Sequence, residues 1–263
     1  MTHYEHLLFD IDDHVCWITL NRPDLHNAMN RQLLDELREA FDSVARMERG
    51  EVRAVVLAGA GKSFSAGADI NWMRASLDFT TEENVADALA LARTFDTINV
   101  CPVPVIARIQ GAALGGGVGL AAVADIVVAA DNARFAFSET KLGIAPAVIS
   151  PYVLAKIGRS HARALFFTAE RFGAERALAI GLVHTVVAPA ALDAEVSRIV
   201  AALKTSAPAA IARAKMLIAT VPSLAPDTAM QITVETIADL RVSPEGQEGL
   251  RAFLEKRNPS WAE

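Results

Sequence analysis

The segment from Ile109 to Pro146, IQGAALGGGVGLAAVADIVVAADNARFAFSETKLGIAP, constrains this chain more than any other, because a dense glycine cluster and an isolated carboxylate share an apolar setting. Gly111, Gly115, Gly116, Gly117 and Gly119 lie among Ala, Leu and Val, so backbone N–H groups can approach a ligand unobstructed by side chains. The pattern predicts a helix from about Gly116 to Val123. Its first-turn N–H groups, with the positive end of the helix dipole, would face whatever lies in front and would suit an oxyanion. Downstream, Glu139 stands in Phe135-Ala136-Phe137-Ser138-Glu139. Apolar neighbours there raise a carboxyl pKa and suit it to proton transfer near neutral pH. The same glycine pattern also serves close helix–sheet packing, and a lone glutamate is ordinarily a solvated residue. No GxxxxGK[ST] occurs, and the glycine run lacks the GxGxxG spacing with an acidic residue closing the next strand, which excludes the phosphate-loop readings.

A chain of 263 residues with 52% hydrophobic and 21% charged residues can bury a large core, and disorder is excluded. The net charge of -6, with no Lys/Arg cluster against it, argues against nucleic acid as the main partner. Cys16 and Cys101 are far apart without CxxC or CxxH spacing, so they read as reduced and structural; no metal is expected. The start, MTHYEHLLFDIDDH, shows no basic stretch leading into an apolar run, so no signal peptide is expected and a cytoplasmic location is. Ala112 to Ala130 reads as a helix followed by a strand rather than a membrane span.

In chain order, Leu7 to Asn21 alternates around Asp12-Asp13, predicting two strands joined by a tight turn. Asn27 or Asn30 can cap a helix over Arg31 to Ala45, where Leu33, Leu34, Leu37, Phe41 and Val44 fall at helical spacing. Val52 to Leu57 is a buried-strand candidate. Asp69 suits the N-cap of a helix through Trp72 and Met73, leaving the Ala68 N–H exposed just before it. A helix over Thr81 to Asn99 ends at Cys101-Pro102-Val103-Pro104, ahead of a strand over Val105 to Ile109. Strands follow over Ala124 to Ala129 and Ala133 to Phe137, and Lys141 to Ser150 reads as an irregular apolar loop. Beyond it come helices over Tyr152 to Ile157, Ala162 to Thr168 and Ala174 to Ile180, and a strand over Val183 to Val187. From Ala190 the pattern is wholly helical: Leu192 to Leu203, Pro208 to Thr220, Ala225 to Val242 and Pro244 to Arg257. The fold class is therefore α/β, with a boundary near Pro189 between a core over 1–189 and a helical region over 190–263.

Taken jointly, Asn21-Arg22-Pro23, Asn27-Ala28-Met29, Phe64 to Ile70, Gly111 to Gly117, Ala124-Asp125-Ile126, Phe137-Ser138-Glu139 and Leu142-Gly143 occur in an order that resembles the crotonase (enoyl-CoA hydratase/isomerase) superfamily. The likeness runs essentially end to end and includes Gly246 to Trp261. It implies a crotonase (ClpP-like) ββα spiral with a C-terminal helical trimerisation region, assembling as a homotrimer or a homohexamer. An acyl-CoA thioester substrate is implied as well, with no cofactor beyond its coenzyme A, no metal, no nucleic acid and no membrane. By position, the Ala68 and Gly116 N–H groups would form the oxyanion hole and Glu139 would be the acid/base. His26, Ala28, Ala66, Ala68, Asp69, Ile70, Gly116 and Ser150 would lie along the substrate. Phe253 and Lys256, three apart on the last helix and so sharing a face, would meet the CoA nucleotide of a neighbouring subunit. His161, His184 and Asp69 otherwise read as structural. Ser138 could orient Glu139, and Arg74 or Lys141 could neutralise a substrate carboxylate.

One departure bears on mechanism. Hydratases of this family typically carry two glutamates, and where the first would fall this chain has Gly119. Double-bond isomerases that use one carboxylate thus become an alternative. Leu142 to Ile157, Thr168 to Phe172 and Arg241 to Gly246 look like the bacterial hydratases of 3-methylglutaconyl-CoA or its isoprenoid-chain analogues. Those also lack the first glutamate and belong to leucine and acyclic-terpenoid breakdown. A non-catalytic scaffold role is the remote alternative, since fold alone does not fix function.

Overall fold

The computed structural model describes residues 4–262. Strands β1 (Leu7–Asp12) and β2 (Val15–Leu20) pair antiparallel, in register from Leu7↔Leu20 to Asp12↔Val15. Their turn is Asp13-His14, one residue later than the sequence suggests. Both residues are left-handed, at φ 44° and 63°, which matches the twist a two-residue hairpin turn needs. Next come β3 (Ala54–Gly59), β4 (Val105–Ile109), β5 (Ala112–Leu114) and β6 (Ile126–Ala130). The remaining strands are β7 (Arg134–Ala136), β8 (Phe172–Gly173) and β9 (Thr185–Val187). A six-stranded sheet has the order β1-β2-β3-β4-β6-β9 and is parallel from β2 onward; β5-β7-β8 form a second sheet.

Strand periodicity divides the core in two. Cys16, Ile18, Val55, Leu57, Val105, Ala107 and Val127 pack on one face of the large sheet, whereas Val15, Ala54, Val56, Ile106 and Val128 pack on the other. Parallel strands covered on both faces read as continuous apolar runs, as in AVVLAG of β3. On the first face lies α1 (Arg31–Arg46), with Leu33, Leu34, Leu37, Phe41 and Val44 all buried. Asn30, rather than Asn27, caps it: its side-chain oxygen accepts from the Leu33 N–H at 2.9 Å. Asn27 is instead buried, and its amide donates to the Ala60 and Ser63 carbonyls at 2.9 and 2.8 Å.

Asp69 caps the short α2 (Ile70–Ala75), and Thr80 and Glu83 form a capping box at α3 (Thr81–Asn99). Helix α4 (Gly116–Val123) is buried along nearly its whole length. The two helices expected over Tyr152 to Thr168 are both present within the helical span α5 (Ser150–Thr168), which is broken at Gly158, where φ is 68° and ψ is 168°. The small α6 (Ala174–Ala179) follows. Helix α7 (Leu192–Lys204), although beyond Pro189, covers the second face of the sheet with Leu192, Val196, Ile199 and Val200. Three more helices complete the chain: α8 (Pro208–Thr220), α9 (Pro226–Val242) and α10 (Pro244–Glu255).

Two corrections concern local geometry. Strands β5 and β8, of three and two residues, are too short to leave a periodic trace in sequence. Helix α10 stops at Glu255 rather than at Arg257, with Lys256 as its left-handed cap at φ 56° and the Lys256 N–H still donating to the Ala252 carbonyl. Among the described residues, no helix is long and apolar enough to cross a membrane.

Candidate active site

The glycine cluster builds a sharp turn between β5 and α4. Gly115 sits at φ 50° and ψ -119°, a conformation open to glycine, and its N–H donates to the Ala136 carbonyl at 2.9 Å. Val118 and Gly119 N–H donate back to the Gly115 carbonyl, while the Gly116 N–H makes no hydrogen bond among the described residues. Beside it runs the Gly67-Ala68 segment. A Cβ added to Gly67 would lie 2.7 Å from the Leu114 carbonyl oxygen and 3.6 Å from the Gly116 nitrogen, so the two backbones are in direct contact. Met29 pins the neighbours of Ala68 on both sides: its N–H donates to the Gly67 carbonyl at 2.7 Å, and its carbonyl accepts from the Asp69 N–H at 2.8 Å. The Ala68 N–H is left without a partner among the described residues, on an exposed residue. Two unpaired donors on adjoining backbones are what a developing oxyanion requires.

Glu139 faces this turn. It begins the 3-10 segment Glu139–Leu142 and follows β7, whose Phe135 stacks on Phe172 at 5.6 Å between ring centroids. Phe137 meets Phe166 edge-on at 4.9 Å, and the Thr140 hydroxyl donates to the Phe166 carbonyl at 2.7 Å, which fixes the segment against α5. A Cβ added to Gly115 would lie 3.3 Å from Glu139 Oε1, while Oε2 is buried with no hydrogen-bond partner. Burial pushes the Glu139 carboxyl above its ordinary range, with a backbone hydrogen bond only partly opposing it. Ser138 makes no hydrogen bond to it.

The place of a second glutamate is physically closed. A Cβ added to Gly119 would collide with Ile149 Cγ2 and lie 3.0 Å from Phe95 Cζ, and both side chains are buried. The turn thus presents the Glu139 carboxyl and the free Ala68 and Gly116 N–H groups, with no room for a side chain at 119.

The remaining candidates are spread around it. His26 is exposed and left-handed at φ 51°, with Nδ1 3.1 Å from Ser63 Oγ; its carbonyl accepts from the Ala66 N–H at 2.9 Å. His26, Ser63, Ala66 and Leu114 border a cleft of about 960 Å³ that Arg134 and Arg171 also line. Ala28 is buried, and its carbonyl accepts from Arg22. Asp69 caps α2 through the Asn71 N–H at 2.8 Å and pairs with Arg22 at 2.8 Å. Although burial works against it, the Arg22 guanidinium and the N–H bonds hold its carboxyl below the usual range. Arg22, which thereby fastens the Ala28 and Asp69 segments together, escaped the sequence reading as a functional part; its only signal was the Asn21-Arg22-Pro23 motif.

Ile70 opens α2 and is exposed. The Ser150 hydroxyl donates to the Ala147 carbonyl at 2.7 Å. Phe253 projects from α10, 80% exposed. His184 Nδ1 accepts from the Val127 N–H at 2.9 Å, a bond that ties it to β6. Arg74 and Lys141 are exposed. No group of three or more His, Cys, Asp or Glu side chains among the described residues is arranged to hold a metal ion.

Comparison with known proteins agrees with this geometry. The enoyl-CoA hydratase/isomerase family profile matches residues 10–263. The chain is 34% identical over 253 residues to a short-chain-enoyl-CoA hydratase of Clostridium acetobutylicum, covering 95% of each chain. An enoyl-CoA hydratase structure from Shewanella pealeana superposes with a TM-score of 0.94 at 40% identity, over 98% of this chain and 96% of that one. Pseudomonas aeruginosa AtuE superposes with a TM-score of 0.95 at 37% identity, over 98% of this chain and 100% of that one. Glycine turn, carboxylate and end-to-end likeness agree: the chain has the crotonase fold, belongs to the enoyl-CoA hydratase/isomerase family, and is an enzyme of the enoyl-CoA hydratase kind.

Proposed function

We propose that this enzyme adds water across the 2,3-double bond of an enoyl-CoA thioester by syn hydration with one carboxylate, with 3-methylglutaconyl-CoA or a related branched enoyl-CoA as the preferred substrate. The observation that carries the reading is the buried, unpartnered Glu139 Oε2 of a carboxyl packed on Gly115, next to the free Gly116 N–H and the adjoining segment that carries the free Ala68 N–H. Glu139 takes a proton from water as the oxygen attacks C3, and the electron pair moves through C2 to the thioester oxygen. The two N–H groups stabilise that enolate oxygen, and Glu139 returns the proton to C2 on the same face. The preference for a branched acyl group rests on the likeness of 142–157 to that subgroup. A general enoyl-CoA hydratase ranks second. A double-bond isomerase ranks third; it is favoured by the apolar filling at Gly119, since moving a proton between C2 and C4 needs one carboxylate and no water.

The same reading has the chain act as a homotrimer or a dimer of trimers in the cytoplasm, built through 190–263. Exposed Met230, Val234 and Ile237 on α9 and Leu254 on α10 offer apolar surface for that purpose. In such an assembly Phe253 stacks on the adenine of a neighbour's CoA and Lys256 meets a phosphate.

Incubation with 3-methylglutaconyl-CoA, crotonyl-CoA and a 3-enoyl-CoA in ¹⁸O-labelled water, followed by mass spectrometry, separates the readings. Label in the 3-hydroxy product, formed fastest from the first substrate, is expected. An unlabelled 2-enoyl product from the third substrate, with no hydration of the other two, would establish the isomerase.

A further inference from the structure

Arg53 is a charged residue held inside the protein, 7% exposed, immediately before β3 and fastened to the hairpin by its N–H on the His14 carbonyl at 2.7 Å. Its guanidinium gathers the end of α7 and the C-terminal segment together. It donates to the Lys204 carbonyl at 3.0 Å, to the Ser206 carbonyl and, through the other terminal nitrogen, to the Trp261 carbonyl at 3.0 Å. The Trp261 indole N–H donates to the Thr205 carbonyl at 3.2 Å. Its ring lies flush against α10, because a Cβ added to Gly249 would be 3.0 Å from Trp261 Cη2.

Further ties make α10 and the following turn one unit. Glu248 accepts from Arg257 at 2.7 and 2.9 Å and from the Ser260 N–H at 3.1 Å, and these bonds hold its carboxyl down at about 2. The Arg257 N–H closes on the Ala252 carbonyl at 3.0 Å around left-handed Lys256. Nothing in the interior of α10 demands this apparatus: Ala252 is its one buried residue, and Leu250, Phe253 and Leu254 face outward. A helix with so little core contact takes its position from its tethers.

From this we infer that Arg53 and Trp261 are positioning residues for the nucleotide end of the substrate bound in a neighbouring subunit, acting through the placement of Phe253 and Lys256. This rests on the proposed contact of those two residues with CoA. The latch runs from the sheet through Arg53, Trp261 and Gly249 to α10, so loosening it displaces the nucleotide contacts and leaves Glu139 and the glycine turn untouched.

The test compares crotonyl-CoA with crotonyl-pantetheine, which carries the same acyl group and no nucleotide. Trp261→Ala is expected to raise KM for crotonyl-CoA by about tenfold with kcat within about twofold, and to leave KM for crotonyl-pantetheine unchanged. Trp261→Phe, which keeps a ring on Gly249, restores most of the lost affinity. Arg53→Lys reproduces the Trp261→Ala pattern, and because burial makes that variant prone to misfolding, the Trp261 pair carries the decision. Equal KM changes for both substrates, or none in an assembly that sediments like wild type, would overturn the inference. Lys256→Ala separates the two levels. A raised KM in Lys256→Ala with a normal one in Trp261→Ala removes the latch alone, whereas normal values in both remove the nucleotide contact and the latch with it.

Discussion

Glu139→Gln is expected to lower kcat by roughly 10²–10⁴-fold, the range in which a positioned general acid–base contributes, while CoA-ester binding stays within a few-fold. The amide keeps the shape of the side chain beside Gly115 and removes its carboxylate. More than about a tenth of wild-type kcat in the variant would place the proton transfer elsewhere. Two pH effects accompany the loss. Burial raises the Glu139 pKa, so kcat/KM of the wild type falls as pH drops through a value above the ordinary glutamate figure of about 4.3. Folding stability moves the opposite way. A carboxyl whose folded-state pKa is raised contributes most below its unfolded pKa and loses that contribution as pH rises through the folded value. Glu139→Gln should therefore melt above wild type at pH 7, and the gap should close toward pH 4.

Gly119→Glu, the substitution that would restore a second carboxylate, is expected to destabilise the protein and to yield no faster hydratase. Replacing glycine inside α4 gains about 0.5–1 kcal/mol of helix propensity, but overpacking a filled core costs about 1–3 kcal/mol. The second term wins here because the new Cβ meets branched Ile149 Cγ2 and the Phe95 ring, both buried and neither a flexible chain end. Thermal unfolding should show a lower Tm, partly recovered in the Gly119→Glu/Ile149→Ala double variant, where the niche reopens. A Gly119→Glu protein with wild-type Tm and raised kcat on crotonyl-CoA would mean that the niche is already open to an acid.

How far this site can be read from residue order depends on the range of the forces involved. Helix α1 was legible because Leu33, Leu34, Leu37, Phe41 and Val44 declare one face, and β3 because a two-sided core demands an apolar run. The same local logic marks Gly115-Gly116 as a donor turn and Glu139 as a carboxyl in apolar company. What closes the niche at Gly119 is not local: Phe95 comes from α3 and Ile149 from the residue before α5. The free Ala68 N–H likewise depends on Met29, some forty residues earlier, taking up the bonds on both sides of it. The end of α10 was misplaced for a different reason: the periodic pattern continues to Arg257, but the helix stops at Glu255 in a left-handed cap at Lys256 that any reading by period passes over.

The most direct measurement is a crystal structure of the Glu139→Gln variant briefly soaked with crotonyl-CoA, which the variant is expected to bind normally and to turn over roughly 10²–10⁴-fold more slowly than wild type. The thioester oxygen is expected about 2.7–3.1 Å from both the Ala68 and Gly116 nitrogens, with the amide that replaces the Glu139 carboxylate lying over C2 and C3 of the acyl group. A thioester oxygen bound away from both nitrogens, or an acyl chain whose double bond faces Ile149 rather than position 139, would contradict the one-carboxylate mechanism.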